Sequence, residues 1–374
     1  MTLLSVGVAP APAGIEAGFE SDLAAVVAVG PKGEGAAEAA EALSRLNDAP
    51  ADRLPALFAA FHDAGPVGRN LLAGTVQAVA DDLPPAELAP ALTGVLTAKN
   101  PHPDAAALAF DLLQDRAPEA AVRYLADRGL SSAAPPVRRA AVASRLAALG
   151  DDAPAAELRA LLDRTLDRDQ VETLAGKLEE AGEPVDLQRQ FGFLTDWQLV
   201  GPFDHRGGVG WDRTLPPEET PSRFDSGATY PSEHPDADGA VAWQPLTTDE
   251  DFGALDIAGD LTNWKGSAVM LAREYDAPAA GPVTFRLGTP NAFKLYLNGE
   301  LLFARQEYHR GTKMDQYVIP GEVNAGRNLL MVKLLQNEQK ESWAQAYQLQ
   351  FRVTDPTGAA LREPEPASEV GATE

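Results

Sequence analysis

The sequence predicts a multidomain α + β chain, with an N-terminal α-helical domain followed by a C-terminal antiparallel β-sandwich of the jelly-roll kind. Three observations predict it. An Ala- and Leu-rich pattern with helical spacing fills residues 15–182. From residue 186 aromatic and β-branched residues replace it, in short runs separated by turn residues. Within that half, Phe293-Lys294-Leu295-Tyr296-Leu297 and Glu300-Leu301-Leu302-Phe303 flank Asn298-Gly299. Asn-Gly is the pair that best tolerates positive φ at both central positions of a two-residue hairpin.

In the helical half, Leu43 and Leu46, Leu54, Leu57 and Phe58, and Leu108, Leu112 and Leu113 stand three and four apart. Breaks recur at Gly65-Pro66, Pro84-Pro85, Asn100-Pro101, Pro135-Pro136 and Gly150-Asp151. A first-turn N–H has no intrahelical acceptor, so proline costs nothing there. The breaks therefore read as successive starts of helices of about 11–15 residues. Asp104, Asp151 or Asp152, and Asp167 read as N-caps. Short helices with short connections predict stacked antiparallel pairs, either a HEAT-like repeat or an irregular bundle. In the second half, strands are expected at 191–203, 240–246, 267–276, 283–288, 293–297, 300–305, 316–319, 328–336 and 344–354. The expected domains are an extension at 1–14, a helical domain at 15–185, and a sandwich at 186–355 with a long loop at 204–239. An acidic tail at 356–374 is expected to fray.

A net charge of −24 repels phosphate backbones, so nucleic acid is not an expected partner. The absence of cysteine excludes disulfides, thiolate metal sites and a cysteine nucleophile. No apolar run approaches the ~20 residues of a membrane-spanning helix, so no direct membrane insertion is expected. The N-terminus lacks a basic region, the first lysine being Lys32. The expectation is a soluble protein, cytoplasmic unless it is a processed form of an exported one.

The motifs from Trp197 to Asp355 occur in a fixed order. They are Trp197-Gln198-Leu199-Val200-Gly201-Pro202-Phe203, Asn263-Trp264, Leu295-Tyr296-Leu297-Asn298-Gly299, His309-Arg310 leading to Asp315, Gly326-Arg327-Asn328-Leu329-Leu330-Met331-Val332-Lys333, and Trp343 in a closing strand. This order resembles a domain that recurs in large proteins of planctomycetes and related bacteria. It is also similar to the galactose-binding-like jelly rolls attached to glycoside hydrolases. The resemblance implies a sandwich of sugar-binding ancestry, beside which helical repeats often stand, and it leaves the ligand open.

No nucleophile elbow, phosphate loop or HExxH is present. The candidate ligand-binding residues are Asp204, His205, Arg206 and Trp211 in the long loop, with Tyr308, His309 and Arg310 in a basic, aromatic cluster near Lys313. Trp211 is the expected sugar platform, because aromatic faces stack on pyranose rings and polar neighbours bind the hydroxyls. Trp197 and Trp343 read as core, and Arg310 is expected to pair with Asp315. Asp236 and Asp238 echo the opening of a calcium loop, so a structural calcium is the one metal considered; no other cofactor is expected. The leading expectation is a non-catalytic scaffold, an accessory subunit that braces a larger complex through protein contacts. The alternatives are a carbohydrate-binding module and a hydrolase using loop carboxylates such as Asp204 and Asp212.

Overall fold

The computed structural model describes residues 13–364 and divides into two units that meet in sequence between Glu183 and Pro184. The first unit holds ten α-helices among the described residues. They are α1 (Ala13–Val27), α2 (Ala36–Leu46), α3 (Leu54–Ala59), α4 (Pro66–Asp81), α5 (Pro85–Leu96), α6 (Pro103–Arg116), α7 (Pro118–Asp127), α8 (Pro135–Leu149), α9 (Ala155–Leu162) and α10 (Arg168–Glu180). Helices α4 to α8 each begin on a proline, as the first-turn argument requires. Each then buries one stripe. Leu72, Val76 and Val79 of α4, Leu88, Leu92 and Val95 of α5, and Ala105, Ala109 and Leu113 of α6 meet in one core.

The caps differ from expectation. Asp104 lies inside the first turn of α6, and His102 is the N-cap, its Nδ1 accepting from the Asp104 amide. Helix α9 starts after Pro154 rather than at Asp151 or Asp152. Asp167 does precede α10, but its carboxylate turns to Arg139 at 3.3 Å instead of capping the backbone. No described helix is long and apolar enough to cross a membrane.

The second unit opens with the short helix α11 (Leu187–Phe191), where a strand was expected from 191. Twelve strands follow: β1 (Asp196–Asp204), β2 (Thr229–Pro231), β3 (Ala240–Ala242), β4 (Gln244–Thr247), β5 (Ala254–Asp256), β6 (Ser267–Ala277), β7 (Gly281–Gly288), β8 (Ala292–Leu297), β9 (Glu300–Arg305), β10 (Tyr317–Val323), β11 (Gly326–Gln336) and β12 (Gln348–Thr354), with helix α12 (Ile257–Asp260) after β5. The strands form a six-stranded sheet in the order β4-β1-β6-β11-β8-β9, a four-stranded sheet in the order β10-β7-β12-β5, and the ribbon β2-β3. Every pairing is antiparallel. The expected 240–246 strand is two strands in different sheets, and β12 begins only at Gln348, with Trp343 in a 3₁₀ turn before it.

The Asn298-Gly299 hairpin forms as predicted, with φ of 51° and 94°. Gly299 has a second reason to lack a side chain, since a Cβ there would lie 2.8 Å from that of Ser222. Asn298 also ties the hairpin to β11. Its Oδ1 accepts from the Leu329 amide at 2.8 Å, and its Nδ2 donates to Asn328 Oδ1 at 3.0 Å.

The central strands of the six-stranded sheet are covered on both faces. On the inner face, Leu199, Leu271, Leu295 and Val332 meet Phe285, Leu349 and Phe351 of the second sheet, together with Trp197. On the outer face, Val200, Met270, Ala272, Met331 and Leu335 meet Leu215, Val241 and Trp243 of the long connection. This double cover explains why Leu329-Leu330-Met331-Val332-Lys333-Leu334-Leu335 lacks the apolar–polar alternation of a half-exposed strand, since both faces of β11 are buried.

Lys333 sits in that run with no exposed side-chain surface. It is register partner to Lys294 of β8, so two ammonium groups face each other under the loop. The loop separates them. Lys333 Nζ donates to Glu218 Oε2 at 2.7 Å and to the Arg213 carbonyl at 2.8 Å. Lys294 Nζ donates to the Trp211 carbonyl at 2.7 Å and lies 4.9 Å from the centre of its ring. Glu218 also accepts from the Tyr296 hydroxyl at Oε1 and from the Leu215 amide at Oε2, so both of its oxygens are engaged. Burial lowers the Lys333 pKa, and the Glu218 carboxylate opposes that shift. Burial and the same carboxylate raise Tyr296 well above an ordinary phenol.

Removing one partner of a buried pair leaves the other uncompensated, at about 3–5 kcal/mol. Glu218→Ala is therefore expected to lose about that much stability in urea unfolding, with the mid-loop freed from the sheet. A loss under about 0.5 kcal/mol, typical of a surface substitution, would refute the clamp.

Candidate functional site

Four connections converge at the end of the sandwich where β1 leaves the sheet. The β1 exit turns at His205-Arg206-Gly207-Gly208, and 263–266 enters β6. The connection between β9 and β10 carries Tyr308 to Lys313, and that between β11 and β12 carries Asn337 to Trp343.

Backbone bonds lock these turns. The His205 amide donates to the Gly266 carbonyl at 2.8 Å, and the Gly266 amide to the Asn337 carbonyl at 3.0 Å. The Gly207 amide donates to Glu338 Oε2 at 2.8 Å, and Lys265 Nζ to the Ala344 carbonyl at 2.7 Å. A Cβ at Gly266 would strike the side chains of Arg206 and Glu338 at 2.7 and 2.9 Å, which shows how closely they flank it. Below lies a buried amide layer in which Asn291 Nδ2 donates to Gln336 Oε1 at 3.0 Å.

Six of the seven predicted binding residues come together here. Asp204 holds Arg206 through Oδ1, which accepts from Nε at 2.6 Å, and Oδ2, which accepts from Nη2 at 3.2 Å. That bond keeps the Asp204 carboxyl below its usual range and raises Arg206. His205 is buried, its Nε2 sharing a hydrogen bond with the Tyr308 hydroxyl at 2.7 Å. Its Nδ1 has no partner and faces the bare Cα of Gly210. Burial and the nearby charge of Lys333 lower His205 to about 4, so it is a neutral internal strut. Burial likewise pushes Tyr308 up to about 12. His309 takes positive φ, donates its amide to the Pro290 carbonyl at 2.6 Å, and shares a 3.0 Å bond between Nε2 and Asn337 Oδ1. Arg310 is exposed and reaches Glu307 at 3.4 Å.

Several expectations are corrected. Trp211 is not a free platform, because its ring packs over Lys294 in the outer core. Arg310 does not pair with Asp315. Asp315 accepts instead from Arg352 Nε at 2.7 Å and Arg286 Nη1 at 2.8 Å, and although burial raises its pKa, the two guanidiniums outweigh this and lower it. Asp236 stands in a 3₁₀ turn capped by His234, and Asp238 follows at φ 47°. Among the described residues no group of three or more His, Asp or Glu side chains converges to hold a metal ion.

The residue that sequence reasoning misplaced is Trp343. It is 60% exposed, and the His309 ring stands edge-on to it at 5.0 Å and 87°. The available signal was its neighbourhood, Gln339-Lys340-Glu341-Ser342 before it and Gln345 after, which lacks the alternation of a strand. The rim thus presents one open indole beside His309, with Asn337, Glu338 and Arg206 around the same turns. Such an arrangement can stack on a flat apolar face and hydrogen-bond to polar groups at its edge.

No protein-family model matches the chain, and no curated protein matches it. Among solved structures, similar ones include a family 35 carbohydrate binding module from Clostridium thermocellum, at 14% identity over 22% of this chain and 69% of that one, with a TM-score of 0.16. A beta-glucosidase from Kluyveromyces marxianus is 16% identical over 30% of this chain, with a TM-score of 0.23. A beta-glucuronidase from an uncultured Clostridium sp. is 16% identical over 44% of this chain, with a TM-score of 0.24. The chain spans only 14% of the beta-glucosidase and 28% of the beta-glucuronidase. Similarity at that level decides no activity.

The His205 environment has a pH consequence. An unfolded histidine titrates near ~6.5, and the folded one near about 4. Between these values the unfolded chain binds the extra proton, so stability rises with pH. The contribution of His205 is complete above its unfolded pKa and is lost as pH falls through the folded one. Unfolding of the wild type and of His205→Gln, followed across this window, should show the steeper acid loss in the wild type. Parallel pH profiles would contradict the buried, neutral histidine.

Proposed function

We propose that the protein is a non-catalytic binding protein whose C-terminal sandwich recognises carbohydrate at its rim. The observation that carries this reading is Trp343, an indole held open to solvent by a 3₁₀ turn and braced edge-on by His309. A pyranose offers an apolar C–H face to such a ring. Its hydroxyls find donors and acceptors on Asn337, Glu338 and Arg206. The turns are already bonded to one another, so little ordering cost accompanies binding. Titration of the full chain with soluble polysaccharides, read by tryptophan fluorescence, tests this. Trp343→Ala is expected to weaken the response about tenfold or more, worth ~1.4 kcal/mol. Equal binding by the variant, or no response of the wild type to any glycan, would refute it.

A second reading, the scaffold, is favoured by a separate observation in the helical unit. A largely apolar groove of about 660 Å³ is lined by Phe58, Pro90, Val95 and Pro101, with His62 and His102 at one side. Apolar surface of this kind marks protein contact sites. Gly94 lines it with open space around its Cα, so Gly94→Glu puts a charge in the groove without displacing the core. A protein partner that co-purifies with the wild type from its native source is expected to be lost by Gly94→Glu. Retention of the same partner would count against the scaffold reading.

A further inference from the structure

A second pocket begins at Asp204 and does not have Trp343 in its lining. Where the long loop leaves β1 and returns to β2, it encloses a cavity of about 200 Å³. The walls include Asp204, Arg213, Glu219 and Glu233, with Pro216 and Pro231 as apolar faces. Arg213 Nη1 donates to Glu233 Oε2 at 2.8 Å, which leaves further guanidinium N–H groups for another acceptor. Asp204 is already neutralised by Arg206. The Glu219 side chain is exposed and makes no hydrogen bond among the described residues.

We infer that this cavity is a binding site for one small neutral polyol, of the size of a single sugar ring. The volume decides the size. It falls below the ~300–1,000 Å³ of pockets that enclose drug-sized ligands, yet is several times the ~30 Å³ share of one water molecule. The charges decide the class. Asp204 is paired with Arg206 and Glu233 with Arg213, so the one uncompensated charge is that of Glu219, which repels an anion. A cation could pair with Glu219 but would leave the remaining Arg213 donors unmatched. A vicinal diol uses both, donating its hydroxyl protons to Glu219 or Glu233 while its oxygens accept from Arg213. The two proline rings then cover the apolar face of the ligand. Arg213 is held in place from behind, because its carbonyl accepts from buried Lys333. The site goes beyond the rim reading and does not depend on Trp343.

Saturation-transfer NMR on the full chain tests it, with galactose, glucose and mannose as probes and putrescine as the cationic comparison. At least one hexose is expected to bind the wild type and Trp343→Ala equally, and to bind Glu219→Ala about tenfold more weakly. Glu219 is exposed and unpaired, so its replacement leaves the fold intact; Glu219→Gln, which keeps the shape and removes the charge, provides a second variant. Hexose binding that Trp343→Ala abolishes and Glu219→Ala leaves unchanged would overturn the cavity site while sustaining the rim. Binding of putrescine alone, or of no hexose by the wild type, would also overturn it.

Discussion

The structure of the C-terminal unit depends on one buried contact, the ammonium of Lys333 against the carboxylate of Glu218. A lysine with no exposed surface in the middle of a central strand is costly unless charge and hydrogen bonds are both met. Here the strand supplies the cation and the long loop supplies everything that satisfies it. The loop therefore cannot leave the sheet without stranding a charge. Tyr296 and the Leu215 amide complete the Glu218 shell, and Lys294, the register partner of Lys333, pins Trp211. What composition marks as a polar connection is thereby the outer wall of a second core.

That wall positions both the rim and the small pocket. Its first residues are the β1 exit turn, whose His205, Arg206 and Gly207 contact Tyr308, Asp204 and Glu338. Its middle forms the small cavity around Arg213 and Glu219. The rim that presents Trp343 and the pocket that presents Arg213 are thus built on the same clamped segment, at different places along it.

Much of the fold was legible in the sequence. Proline positions marked the helix starts because a first-turn proline loses no hydrogen bond. Asn298-Gly299 marked the hairpin because both residues had to take positive φ. Six candidate residues are neighbours because they lie in two short clusters, 204–206 and 308–310, which the His205–Tyr308 bond brings together. The failures share a physical cause, which is that pairing across long sequence separations decided them. Trp211 looked free because its partner, Lys294, lies far along the chain on β8. Arg310 looked like the partner of Asp315 by proximity, but two arginines from neighbouring strands win that carboxylate from the sheet. The burial of Lys333 was not legible, because nothing local reveals that a loop covers that face. Trp343 was placed in the core because it was read into the closing strand, whereas the charged residues before it mark a turn.

Hydrogen exchange of the full chain, resolved to single amides, tests the central claim most directly. If the long loop is a clamped wall, the amides of Gly207 and Leu215, whose acceptors are Glu338 and Glu218, exchange slowly. The amides of β11 at Met331 and Lys333 should be protected as well. Free-chain exchange across 206–239, with β11 still protected, would show a sheet that holds without its cover and would contradict the account.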